Sequence, residues 1–380
     1  MQPTAILSLG FRTMYLLAGA FAAISLPLWV AQYAGVIAPG SAYAGSLWHA
    51  HEMIFGFALA VIVGFLFTAG RNWSGEPTPT GLALAAVAAL WLIARVLALT
   101  PWRELAGAFD VAFALAAAAG LAIPLWRARN ARNYFFVALL VAIAALNAGF
   151  HLALAGVIDV DLSRLLVIAL DVVLFICVVM AGRVIPMFTN NGAPGAGARR
   201  IAWIEQLSLG SVLALAAADV AGAWPLVVAI VAGVAALAHA ARLALWHPWR
   251  TRGMPILWIL HAAYAWVPVH LALRATAALG LTASSLATHA LAVGVIGGLT
   301  LGMMTRTSRG HSGRPLTVGA SEVAAYLLVM AAALVRVLVP LALPEFTVAG
   351  IVVAASLWSA AFLIFTVTYW PILSRPALKG

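Results

Sequence analysis

The chain is poor in charge, in acid and in sulfur. Only 8% of its 380 residues are charged, with 11 acidic residues against 21 basic ones. An ordinary soluble domain carries about 25% charged residues, so a soluble fold is excluded. A single cysteine, Cys177, rules out an intramolecular disulfide and any cysteine-built zinc or iron–sulfur site. No Cys-x-x-Cys-His occurs, so any haem here is a noncovalent, b-type one. Nucleotide motifs, nucleophile triads and zinc-protease patterns are missing as well. The net charge of +10 is dispersed over short loops, so it reports membrane topology and gives no reason to expect nucleic acid.

What the chain has in abundance is apolar length, with 65% hydrophobic residues and a mean hydropathy of +1.06. Runs of about 20 residues, enough to cross a bilayer, fall near 13–37, 47–69, 81–99, 104–124, 134–156, 162–188, 201–222, 224–246, 255–279, 284–305, 321–340 and 346–370. They predict an all-α protein of twelve transmembrane helices, forming a single integral membrane domain over 1–380. The first run lacks a small-residue cleavage site and reads as a span, not a signal peptide. Of the 21 basic residues, 16 fall on one side, while Arg95, Arg103, Arg164, Arg274 and Arg336 fall on the other. Positive loops stay in the cytoplasm, which puts both termini there.

Trp48-His49-Ala50-His51-Glu52-Met53-Ile54-Phe55-Gly56 opens the second run with three ionisable groups, a costly choice that usually marks a functional site. At about 100° per residue, His49 and His51 point to nearly opposite sides, and Glu52 lies near His49, where it could orient that ring or pass a proton. His151, His270 and His289 map to the same outer layer as His49 and His51, with His261 deeper in the bilayer. Carboxylates near them are few, Glu52 and Asp171, which argues against a binuclear carboxylate site. Neutral imidazoles in apolar surroundings suit haem iron, copper or zinc. Gly56, Gly64, Gly294, Gly297, Gly298 and Gly302 would leave space for a macrocycle. The third and fourth spans, with Arg95, Arg103, Glu104 and Asp110 near the outer side, read as scaffold. Glu205, Asp219 and His239 lie near helix ends, where solvation or snorkelling accounts for them.

At an offset of 238 residues the chain repeats itself. His51 aligns with His289, Gly56 with Gly294, Gly64 with Gly302, Arg71 with Arg309, Ser74-Gly75 with Ser312-Gly313, Pro77 with Pro315 and Gly81 with Gly319. Asn191-Gly192-Ala193-Pro194 and Asp171 form a fainter copy between. The expectation is three pseudo-symmetric four-helix units, 13–124, 134–246 and 255–370.

Three stretches taken in order carry a family resemblance. His49 to Phe57, Gly182-Arg183-Val184-Ile185-Pro186-Met187-Phe188-Thr189-Asn190-Asn191-Gly192, and His289-Ala290-Leu291 with Arg309-Gly310-His311-Ser312-Gly313-Arg314-Pro315 resemble the NnrS family, over about residues 10 to 370. The resemblance implies a bacterial inner-membrane protein that contains haem and copper and serves the response to nitric oxide and nitrosative stress. On that reading His51 and His289 are the leading cofactor and metal ligands, and His49, His151, His270 and His261 complete the centres. Glu52 is the catalytic group, delivering protons or orienting His49; Arg183, Asn190 and Asn191 stabilise the inner end, and Asp171 stands behind the ligands. The partners are nitric oxide or a similar diatomic ligand and the lipid bilayer, and no motif names an electron donor. Three four-helix units with histidines on the second and tenth helices are also similar, at fold level, to the catalytic subunit of haem–copper oxidases. Three activities compete: a nitric oxide reductase-like oxidoreductase, a non-enzymatic haem or nitric oxide sensor, and a metal or small-anion transporter.

Overall fold

The computed structural model describes residues 4–37 and 45–378. Twelve long helices account for almost all of them: α1 (Gly10–Tyr33), α2 (Ser46–Ser74), α3 (Gly81–Leu97), α4 (Arg103–Arg127), α5 (Tyr134–Leu154), α6 (Leu162–Gly192), α7 (Ala202–Ala221), α8 (Pro225–Leu245), α9 (Pro255–Ala278), α10 (Ser284–Gly310), α11 (Ala320–Ala342) and α12 (Thr347–Leu373). No strand occurs among the described residues. The chain is a multi-pass membrane protein in which eleven of these helices are long and apolar enough to cross a bilayer. The exception is α3, whose 17 residues reach about 26 Å at 1.5 Å per residue. Pro77 and Pro79 on one side and Pro101 on the other hem it in. Local signals set other ends. Gly75 and Gly222 close α2 and α7 in the left-handed conformation, and Pro225 and Pro255 open α8 and α9.

These helices cluster into two compact units. The first comprises residues 1–172, 307–314 and 366–380, so it joins the early helices to the end of the chain. Arg12 makes that joint. Its guanidinium is 2% exposed and donates to the carbonyls of Leu373 (3.0 Å) and Arg375 (2.5 Å), with Ser312 Oγ at 3.4 Å. The last carbonyls of a helix have no partner within it, and here a buried cation supplies one. Leu378 N–H then donates to Ser312 O at 3.1 Å, tying down the tail. Arg12→Ala should cost about 2–3 kcal/mol, the worth of a charge-assisted bond. It should also let carboxypeptidase trim the tail in detergent; trimming at the wild-type rate would show that the latch is held by other contacts. The second unit comprises residues 173–306 and 315–365, in which α8 packs on α7 and α9, and α9 on α10.

The repeat at 238 residues is also a repeat in backbone geometry. After His51 the α-helix widens to a π-helix over Glu52–Ala58, and after His289 it does so over Ala290–Gly297. Trp91 Nε1–H donates to Gly56 O at 2.9 Å within the first widened turn. π-Turns are uncommon and concentrate at functional sites.

The glycines expected to clear space for a macrocycle serve close packing instead. A Cβ on Gly294 would meet Trp266 at 2.3 Å, on Gly297 Trp358 at 2.4 Å, on Gly298 Met330 at 2.5 Å and on Gly302 Leu260 at 2.8 Å. On Gly56 it would meet Arg95 Nη1 at 2.7 Å, and on Gly64 Met14 at 2.9 Å. Neighbouring side chains already fill the volume each missing methyl leaves.

Candidate metal centre

Four helices of the first unit meet at His51. The widened turn of α2 carries His51 and Glu52, α3 brings Arg95, α4 brings Asp110, and α5 brings Asn147 and His151 one turn apart. His51 is fully buried, with Nδ1 3.1 Å from Glu52 Oε1 and Nε2 3.2 Å from Asp110 Oδ2. His151 Nε2 lies 3.7 Å from the same Asp110 oxygen. Arg95 spans the two carboxylates, with Nη1 2.7 Å from Glu52 Oε2 and Nη2 bonded to Asp110 Oδ1. Phe55 and Phe150 flank the His51 ring, at centroid distances of 4.9 and 4.8 Å, and supply an apolar wall.

One ligand atom each from His51, Asp110 and His151 falls within 4.8 Å of the others. A first-row metal about 2.0–2.2 Å from each ligand atom holds those atoms roughly 3–3.7 Å apart, so the two measured separations already suit coordination. Two imidazoles and a carboxylate are a donor set for copper, zinc or non-haem iron. Glu52 is placed as the second partner of His51. By accepting Nδ1–H it turns Nε2 toward Asp110 and His151, where a bound metal would take the place of the Nε2 hydrogen, the carboxylate–histidine–metal arrangement. The charges of Glu52 and Asp110 are offset by Arg95 at both ends, which a buried acidic pair requires.

Asp110 is the residue that sequence reasoning passed over. It was expected to be scaffold, yet it is 1% exposed and touches both histidines. The available signal was Arg95 and Asp110 together, opposite charges in two consecutive apolar helices joined by a short turn. Asn147, also fully buried, gave no comparable signal.

The other expected residues are distributed as follows. His49 lies half-buried in the first unit, stacked on Trp29 at 4.2 Å. Asp171 is buried in the same unit. His261, His270 and His289 belong to the second unit. His261 donates Nε2–H to Thr189 Oγ1 at 2.9 Å, since that hydroxyl's own hydrogen goes to Ile185 O. His270 donates Nδ1–H to Ala287 O at 2.8 Å, and its buried Nε2 has no hydrogen-bond partner among the described residues. His289 uses both nitrogens, donating to Ser285 O at 2.7 Å and accepting from Arg336 at 3.1 Å. His270 Nε2 could therefore ligate a haem iron, but the glycines of α10 give no cradle for a macrocycle. Asn190 exchanges two 2.8 Å hydrogen bonds with the Ala198 backbone and so anchors the turn after α6, while Asn191 is exposed and Arg183 half-buried. Glu205 and His239, expected near solvated helix ends, are buried in the second unit. A buried arginine, Arg242, compensates Glu205, and Tyr264 and the Ser208 carbonyl engage His239.

Position 107 offers a test that touches no ligand. A Cβ on Gly107 of α4 would lie 2.8 Å from His151 Cγ and 3.0 Å from Nδ1, so Gly107→Ala must push that ring aside. We expect metal affinity to fall about 10–100-fold, as when ligand orientation is lost, in a chelator-competition titration. Gly149→Ala, whose Cβ would find only ordinary contact at 3.7 Å, is the control. Equal affinities in the two variants would count against His151 as a ligand.

Compared with known protein families, residues 5–377 match the family described as NnrS protein. No curated protein matches the chain.

Proposed function

Because this chain belongs to the NnrS family, with 5–377 of its 380 residues matched, we propose that it is a metal-carrying bacterial inner-membrane protein. In this reading both termini are cytoplasmic, and the protein binds or reduces nitric oxide at the His51–Asp110–His151 centre, protecting against nitrosative stress. The observation that carries the reading is the convergence of three ligand atoms within 4.8 Å from helices α2, α4 and α5, with Glu52 and Arg95 balancing the charge. A bound copper or iron would supply an open coordination position and an electron there. The protein's own groups do the rest. Glu52 fixes the ring of His51, Arg95 holds Glu52 and Asp110 in place, and Phe55 and Phe150 keep water from the ring faces. Both oxygens of Glu52 are engaged, which favours an orienting role over the catalytic proton delivery expected of it. For haem, His270 supplies a suitable nitrogen, but the glycines beside it leave no space for the macrocycle.

The reading is tested on detergent-purified protein. Elemental analysis should find about one transition metal per chain, absent from His51→Ala, and nitric oxide should perturb the optical or electron paramagnetic resonance spectrum of the reduced protein. Consumption of nitric oxide under reducing conditions marks an oxidoreductase, and the same spectrum without consumption marks a sensor. A well-folded, colourless, metal-free preparation overturns the proposal, and reconstituted ion flux from such a preparation would replace it with transport.

A further inference from the structure

We infer that Asn147 is the hydrogen-bond donor that holds a small exogenous ligand on this centre, one whose coordinating group carries an accepting lone pair. The inference rests on the metal reading of His51, Asp110 and His151. Asn147 precedes His151 by one helical turn, so the two side chains leave the same face of α5. Its Oδ1 lies 3.1 Å from His51 Nε2, as near as the Asp110 oxygen at 3.2 Å. Its Nδ2 is buried and has no hydrogen-bond partner among the described residues. A buried, unpaired amide donor costs about 1–3 kcal/mol, so a fully buried asparagine next to three potential ligands calls for a partner.

The contact with His51 explains where that partner belongs. As drawn, Oδ1 accepts from His51 Nε2–H. Once Nε2 coordinates a metal it carries no hydrogen, and an amide oxygen facing it loses its bond. The terminal torsion of asparagine is soft, and its oxygen and nitrogen exchange places by a half-turn. That turn brings the unpaired Nδ2–H to bear on the centre. What it can meet there is an acceptor, either a small anion or the oxygen or nitrogen end of a diatomic molecule. The rings of Phe55 and Phe150, each within 5 Å of His51, wall the centre with apolar surface, which suits a small, weakly hydrated ligand.

The experiment uses the full-length protein in detergent, loaded with Cu(II), and azide as the probe, titrated by its charge-transfer absorption. Asn147→Asp keeps the shape and replaces the donor with a negative charge, and Asn147→Leu removes it. Both should hold copper at the wild-type stoichiometry and bind azide about 10–100-fold more weakly, the scale for losing one hydrogen bond to a charged group. Asn147→Gln, which restores an amide, should recover part of the affinity. Unchanged azide affinity in both of the first two variants overturns the inference and leaves the metal centre standing. Loss of copper in Asn147→Leu with retention in Asn147→Asp also overturns it, by showing that Oδ1 is itself a ligand. Failure of the wild type to take up copper overturns the inference and the centre together.

Discussion

Asp110→Ala is expected to empty the metal centre and to destabilise the protein by about 3–5 kcal/mol, the range for removing one partner of a buried charge pair. Asp110 touches His51, His151 and Arg95 at once, and it is 1% exposed. Without it Arg95 loses one of the two carboxylates it spans, and each histidine loses the Asp110 oxygen beside its Nε2. Two consequences can be separated. Elemental analysis should show the metal gone, and unfolding in detergent should show the stability loss. An Arg95→Met, Glu52→Gln, Asp110→Leu triple variant removes the whole charge cluster and should recover much of the stability without recovering the metal. Full metal content in Asp110→Ala would dismiss the centre, and unchanged stability would mean that Arg95 finds another anion.

Arg242→Met should be comparably damaging, at about 3–5 kcal/mol, for reasons unconnected with any ligand. In the second unit Arg242 makes a two-pronged pair with Glu205, Nε to Oε1 at 2.9 Å and Nη2 to Oε2 at 2.7 Å. Its Nη1 reaches Val178 O at 2.9 Å and Tyr264 OH at 3.0 Å, and Tyr264 OH in turn bonds His239 Nδ1 at 2.6 Å. His239 donates its other nitrogen's hydrogen to Ser208 O, so it accepts from Tyr264, and the whole chain of bonds has one assignable direction. Removing Arg242 leaves Glu205, 8% exposed, with the half-exposed Arg200 at 3.0 Å as its cation among the described residues. Thermal unfolding should register the loss, and Glu205→Gln added to Arg242→Met should restore part of it. Gly182 gives an independent arm. A Cβ there would lie 1.8 Å from Arg242 Nη2, so Gly182→Ala must break the same pair. Stabilities equal to wild type in both single variants would show that the pair contributes nothing net.

Most of the helical plan was legible, because a bilayer demands long apolar runs and the chain can hide few of them. Only α3 came out too short to qualify as a span, its ends set by prolines. The repeat was legible too, although the π-turns that follow both His51 and His289 were not. Chemical equivalence did not follow from it. Glu52 aligns with Ala290 and Asp110 with Val348 at the offset of 238, so the second copy lacks both carboxylates and gives its histidine to Arg336 instead. Periodicity found the histidines but could not see across helices. It set Asp110 among scaffold residues, and it placed Glu205 and His239 at solvated ends where the structure buries them.

The Arg12 latch has a consequence for how the molecule is made. The first unit draws on residues 366–380 as well as on the opening helices, and the buried guanidinium waits for carbonyls at 373 and 375. Arg12 is synthesised long before those acceptors. Completion of the first unit thus waits for residues 366–380 to be made, and a chain cut short before them would be a natural substrate for membrane proteases.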